Sequence, residues 1–180
     1  MPAFNIYLGA LGNSGLDQTM RDNVRNTLQG WFGSIVNGSS FSGALVSWVD
    51  SAPASIQNNE LLIYFVAGRG DSIVASLPGY PGGAGTGDGL TAWSTQTASE
   101  VYVATSTAYL PQMAFHESMH NKLHLGDTAL HRQDGLARSP VSVGGTPSAD
   151  NITRMRAALS TNHQQWTGGW SAYNDPLRGI

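Results

Sequence analysis

The first third of the chain switches between a strand's and a helix's period of apolar positions. Residues 4–11 (F-N-I-Y-L-G-A-L) are mostly apolar over the length of a short strand. The run Gly12-Asn13-Ser14-Gly15 breaks it, and Ser14 or Asp17 caps a predicted helix reaching about Val36. Along that helix Met20, Val24, Leu28, Trp31, Phe32 and Ile35 recur at the three-and-four spacing of one buried face, which makes Trp31 and Phe32 core residues. Strands are predicted over 41–49 and 59–67. The second of these is apolar throughout, as a strand covered on both faces is. Two more strand candidates, 90–94 and 100–106, flank a polar turn. Pro111 suits the first turn of a helix running from 112 to about 125, with Gly126 as its stop. A last helix is predicted over about 151–159, with Ile152, Met155 and Leu159 on one face and Asp150 and Asn151 explained by capping. The aromatics of the tail, Trp166, Trp170 and Tyr173, belong to no periodic segment.

Strand, helix, strand, strand is an α/β opening. The expectation is one α/β (α+β) domain over 1–180, with a strand-rich part up to about 110 and a helical part after it. A chain of 180 residues buries roughly 70% of its unfolded surface without help. Charged residues make up only 12%, about half the usual share, so Gly, Ser, Thr, Asn and Gln carry the surface. The net charge of -3 and the single lysine, Lys122, exclude the clustered cations of a nucleic-acid footprint. No apolar run approaches the ~20 residues of a membrane span. The absence of cysteine excludes thiolate ligands and leaves His, Asp, Glu or Tyr to hold any metal. The N-terminus has no basic region followed by a long apolar core, so export is expected by a route without a cleavable signal, or residence in the cytoplasm before delivery.

Composition is most informative where the histidines fall. Four of the five lie between Ala114 and His131, and His116-Glu117-Ser118-Met119-His120 is an H-E-x-x-H motif. On a helix, residues four apart share a face, so His116 and His120 can converge on one metal ion. Glu117 then stands where a carboxylate can take a proton from a water on that metal. Phe115 and Met119 flank the motif as a buried helix requires. His163 reads as a surface residue, and Tyr109 and Tyr173 as packing residues with a wet hydroxyl that can stabilise an oxyanion. The glycine-rich run 79–89 lacks the G-K-[ST] ending of a phosphate loop and reads as a surface loop near a cleft or a long connection. The Arg69-Gly70-Asp71 triplet, an adhesion motif elsewhere, carries little weight in a glycine-rich loop.

A strand-rich front half followed by H-E-x-x-H on a central helix resembles the zincin metallopeptidases, in particular their metzincin-like branch. The resemblance rests on the five-residue motif and, more loosely, on the order of elements from Phe4 to about Leu159. It implies a zincin-like twisted mixed sheet of about five strands, packed on a backing helix and a central active-site helix. An extended strand beside that helix would line the substrate cleft, a place that 90–94 or 100–106 would fill. It also implies one catalytic Zn2+ and Glu117 as the general base. The chain departs from the metzincin pattern H-E-x-x-H-x-x-G-x-x-H, because Gly126 occupies the third-histidine position. The third ligand must come from elsewhere. His124, one turn past His120, is carried about 6 Å along the axis. His131, fifteen residues after His116, has a spacing similar to that of the aspzincin aspartate. Asp127, eleven after His116, has a spacing similar to that in some bacterial effector proteases. A chain returning from Gly126 brings His131 back more easily, so His131 is favoured and Asp127 is the alternative, as a ligand or orienting a histidine. Met155 is the only methionine downstream of the motif; it falls in a predicted helix rather than on the tight turn that metzincins place beneath the metal.

The expected activity is therefore zinc-dependent hydrolysis of peptide bonds in a protein or in the peptide stems of peptidoglycan. The likeness to bacterial effector or toxin domains implies a cognate immunity or inhibitor protein as partner, and no nucleic acid. The alternative is a structural or adhesive module in which zinc only staples the fold.

Overall fold

The computed structural model describes residues 1–53, 56–76, 87–91 and 98–159. Five strands, β1 (Phe4–Ala10), β2 (Ala44–Trp48), β3 (Glu60–Val66), β4 (Gly89–Thr91) and β5 (Ser99–Tyr102), form one sheet in the order β2-β1-β3-β5-β4. The first four in that order run parallel, and β4 pairs antiparallel to β5 at the edge. Helices α1 (Gln18–Val36), α2 (Val103–Ser106), α3 (Leu110–Leu123), α4 (Asp127–Leu130) and α5 (Ala149–Ala158) complete the fold. The result is a mixed α/β architecture, as the pattern of the sequence leads one to expect. No helix among the described residues is long and apolar enough to cross a membrane.

Side-chain alternation along the strands separates two cores. On one face Phe4, Ile6 and Leu8 of β1, Leu61, Ile63 and Phe65 of β3 and Val101 of β5 meet α1, α3 and α5. Phe32 of α1 and Phe115 of α3 lie 5.7 Å apart between ring centroids, and Trp31 packs edge-on against Phe115. On the other face Leu62, Tyr64, Val66 and Tyr102 are covered by Ile56, Ile73 and Val74. Covering on both sides is why β3 needs an uninterrupted apolar run.

Local signals account for most element ends. Asp17, not Ser14, caps α1, accepting a hydrogen bond from the Met20 N–H at 2.8 Å. Ser148 and Asn151 form a reciprocal capping box at the start of α5.

Three expectations need correction. The second strand begins at Ala44 rather than at 41, because Phe41 turns in to pack edge-on against Phe4. Residues 103–106 form a helical turn, not a strand: β5 ends at Tyr102, and the chain must turn into α3. Helix α3 ends two residues early. His124, with φ +56°, takes the left-handed cap, and Gly126 is extended ahead of α4. The segment 92–97, most of the 79–89 run, and His163, Trp166, Trp170 and Tyr173 lie outside the described residues.

Candidate metal centre

Helix α3 carries the H-E-x-x-H motif and is buried nearly all round, although six of its residues are polar or charged in the run 116–122. Burial on that scale is tolerable only when polar groups find partners. Ser118 donates to the Phe115 carbonyl at 2.6 Å, and the Lys122 ammonium donates to the Asn58 carbonyl at 2.7 Å while standing over the Phe4 ring. His116, Glu117 and His120 build the site.

His116 and His120 use their Nδ1 atoms inward. His116 Nδ1 is 2.7 Å from the Leu136 carbonyl, and His120 Nδ1 is 2.6 Å from the Leu125 carbonyl. A carbonyl can only accept, so each Nδ1 carries the proton and each Nε2 presents a lone pair. Those lone pairs converge with that of His131, the residue that closes α4. The Nε2 atom of His116 is 3.2 Å from that of His120 and 3.2 Å from that of His131. Ligand atoms of all three histidines lie within 4.8 Å of one another, and they form the one such group among the described residues. Nitrogens on a tetrahedral zinc at about 2.0–2.1 Å stand roughly 3.3 Å apart, so the donor set matches that ion in type and spacing.

The chain returns to the site by a short path. The left-handed turn at His124 ends α3, and α4 follows with its Leu130 fully buried in the core. Anchoring Leu130 places the next residue, His131, over the two motif histidines. The adjacent 3-10 turn Gly135–Ala137 supplies the Leu136 carbonyl. That turn is held from α5, where Asn151 Oδ1 accepts from the Leu136 N–H at 2.9 Å and Nδ2 donates to the Asp134 carbonyl at 3.1 Å. Gly135 has φ +59°, and a Cβ there would come within 2.4 Å of Asn151 Oδ1, so both backbone and space demand glycine.

The electrostatics follow from burial. Desolvation, reinforced by the neighbouring imidazoles, pushes His116 down to about 3 and outweighs the upward pull of the Leu136 carbonyl. Burial lowers His120 as well. Both rings are thus neutral near pH 7, the form that binds a metal. Glu117 moves the other way. Burial pushes its carboxyl up to about 8 against the stabilising hydrogen bond from Thr91, and nearby Asp127 and Glu100 add to the rise.

The three histidines and Glu117 line a cleft of about 960 Å³. One wall is the edge strand β4 with Gly87 and Asp88 just before it. The other is formed by 126–129 and by Ser139, Pro140 and Val141. Asp127 lies on this rim, exposed, with Oδ1 3.8 Å from His120 Nε2, and does not join the histidine cluster. His124 caps the helix and lies outside the cluster. Tyr109 is turned to Asp88, donating at 2.6 Å, and burial, reinforced by that carboxylate, pushes its hydroxyl up to about 12. Met155 is buried in the core within helix α5, not on a turn. In the Arg69-Gly70-Asp71 turn, Arg69 donates to the Gly87 carbonyl and Asp71 accepts from Asn13.

Sequence reasoning missed Thr91, Gly89 and Asn151. Residues two apart on a strand share a face, but the expected strand began at Leu90, and nothing local pointed from Thr91 to Glu117. Compared with protein-family models, with curated proteins and with solved structures, the chain matches none.

Proposed function

We propose that this chain is a zinc-dependent peptidase of the zincin type. The observation that carries the reading is the convergence of three histidine Nε2 lone pairs, two of them oriented by backbone carbonyls, at 3.2 Å spacings on the floor of an open cleft. A zinc ion held by His116, His120 and His131 would supply Lewis acidity to a water and to the scissile carbonyl. Glu117, on the same helix and in the same cleft, is the base that takes a proton on its carboxylate and returns it to the leaving amine. A carboxyl that burial holds near neutrality can do both at physiological pH. An antiparallel edge strand beside the motif helix, flanking the cleft, is where the zincin likeness puts the substrate-lining strand. A protein or a peptidoglycan stem peptide suits an open cleft of this size, and a cognate inhibitor protein is part of the same reading.

The structural-staple alternative calls for four closed protein ligands. Three histidines opening on a cleft support a catalytic site instead. Metal analysis and peptide hydrolysis test the proposal together. Wild type and Asp127→Ala should hold one zinc per chain, and His131→Ala should lose it. Glu117→Gln should keep zinc and lose turnover. Wild type that takes up no zinc when supplied with it, or a fully active Glu117→Gln, would sink the peptidase.

A further inference from the structure

The carboxylate of Glu117 is held from the edge strand. Thr91 and Gly89 lie on the face of β4 that looks at α3, fixed there by the antiparallel register Gly89↔Val101 and Thr91↔Ser99. Thr91 Oγ1 has three oxygens within reach: Glu117 Oε2 at 2.6 Å, the Glu117 carbonyl at 2.9 Å and Ser99 Oγ at 2.9 Å. It has one proton to give. Ser99 Oγ donates to the Glu117 carbonyl at 3.1 Å, so the Thr91 proton goes to the nearest acceptor, the carboxylate. Thr91 and Glu117 are both buried, and the β-branched threonine has few rotamers open to it. Two residues earlier, a Cβ on Gly89 would stand 2.7 Å from Cγ and Oε1 of Glu117 and equally close to the Glu100 carbonyl oxygen across the strand pair. Glycine leaves the room in which the carboxylate lies, and the threonine fixes its rotation.

We propose that Thr91 is a positioning residue for the general base, and that Gly89-Leu90-Thr91 acts as a cradle setting the orientation of the Glu117 carboxylate toward the cleft. The proposal rests on the reading of Glu117 as the base. Anchoring Oε2 through Thr91 leaves the other oxygen for proton transfer and spares the carboxylate a rotational search in each turnover. Leu90 points to the opposite face and takes no part.

The test compares Thr91→Val, which keeps shape and loses the donor, with Thr91→Ser, which keeps the donor. Thr91→Val should lower kcat about tenfold to a hundredfold, with KM within about twofold of wild type. Thr91→Ser should recover activity to within about threefold. Both should retain one zinc per chain. A crystal structure of Thr91→Val should show the carboxylate rotated or displaced, and this readout needs no activity. If valine is not tolerated, Thr91→Ala gives the same comparison. Full kcat in Thr91→Val with an unmoved carboxylate overturns the proposal. So does an equal loss in Thr91→Val and Thr91→Ser that follows their melting temperatures, since that marks threonine as packing only. An inactive wild type, or an active Glu117→Gln, defeats the peptidase reading, while the crystal structure still decides whether Thr91 sets the carboxylate.

Discussion

Two glutamates are buried against opposite faces of β5, and the chain treats them differently. Glu100 projects from β5 into the second core, where Ser72 Oγ and Tyr102 Oη donate to its Oε1 and the Ile73 and Val74 N–H groups donate to its Oε2 at 2.9 and 3.0 Å. Glu117 reaches the other side from α3, lines the cleft, and receives one side-chain donor among the described residues, Thr91. Burial raises the pKa of both. Four donors turn Glu100 into a pin that holds 72–74 on the sheet. One donor and an open cleft leave Glu117 with unused acceptor capacity, which is what a proton carrier needs. Burial alone does not mark a catalytic carboxylate; the number of partners and the access to a cleft do.

Exchanging each carboxylate for its amide should separate the roles most sharply. Glu117→Gln is expected to cut peptide hydrolysis by at least about 10²–10⁴-fold, the range of a lost general base. Glu100→Gln should leave it within about threefold, because an amide oxygen can still accept from Ile73 and Val74 while its NH₂ donates to the two hydroxyls. Equal losses in the two variants, measured as kcat/KM on one peptide, would erase the distinction.

Truncation should reverse the order of effects. Glu100→Ala strands two buried backbone N–H groups and is expected to lose about 2–4 kcal/mol of stability in urea unfolding. Glu117→Ala removes a poorly compensated buried carboxyl and should be neutral or stabilising by up to about 1 kcal/mol, as functional residues often are. A Glu117→Ala protein less stable than Glu100→Ala would show that the fold leans on the site.

Asn151 tests the space between those cases, since it both caps α5 and holds the Leu136 turn that orients His116. Asn151→Ala should weaken zinc binding about tenfold in competition with a chelator, beyond any change in melting temperature. Unchanged affinity would reduce Asn151 to a cap.

The same residues show how far the sequence could be read. The pairing of His116 with His120 was legible because four residues is one helical turn, and the approach of His131 because the chain had to return after α3. The faces of α1 and the two-sided burial of β3 followed from period alone. Thr91 was not legible, since its contact with Glu117 spans 26 residues and forms only when β4 closes against α3. The job of Asn151 at His116 was hidden behind a local capping signal that explained it well enough. The stop of α3 was misread for an energetic reason. Glycine is the residue expected in the left-handed cap, but here His124 takes it at φ +56°, a conformation that costs a non-glycine residue about 1 kcal/mol. The early stop lets the Leu125 carbonyl meet His120, and that bond offsets part of the cost.

The effect that probes the contrast most directly is pH dependence in metal-free protein. A carboxyl whose folded pKa is raised holds its proton longer in the folded chain than in the unfolded one. Relative to an uncharged amide, its contribution is most favourable below pH 4.5 and is lost as pH rises through the folded value. The stability of Glu100→Gln minus that of wild type should therefore grow above pH 4.5 and level off once Glu100 has ionised. For Glu117→Gln the difference should keep growing to about pH 8. Urea unfolding of the three proteins across that interval measures both curves, and subtraction removes the histidines and other groups they share. A Glu100→Gln difference that shrinks with pH would mean that the four donors outweigh burial and that Glu100 is held as an anion. The contrast between the two glutamates would then be one of charge as well as of partners.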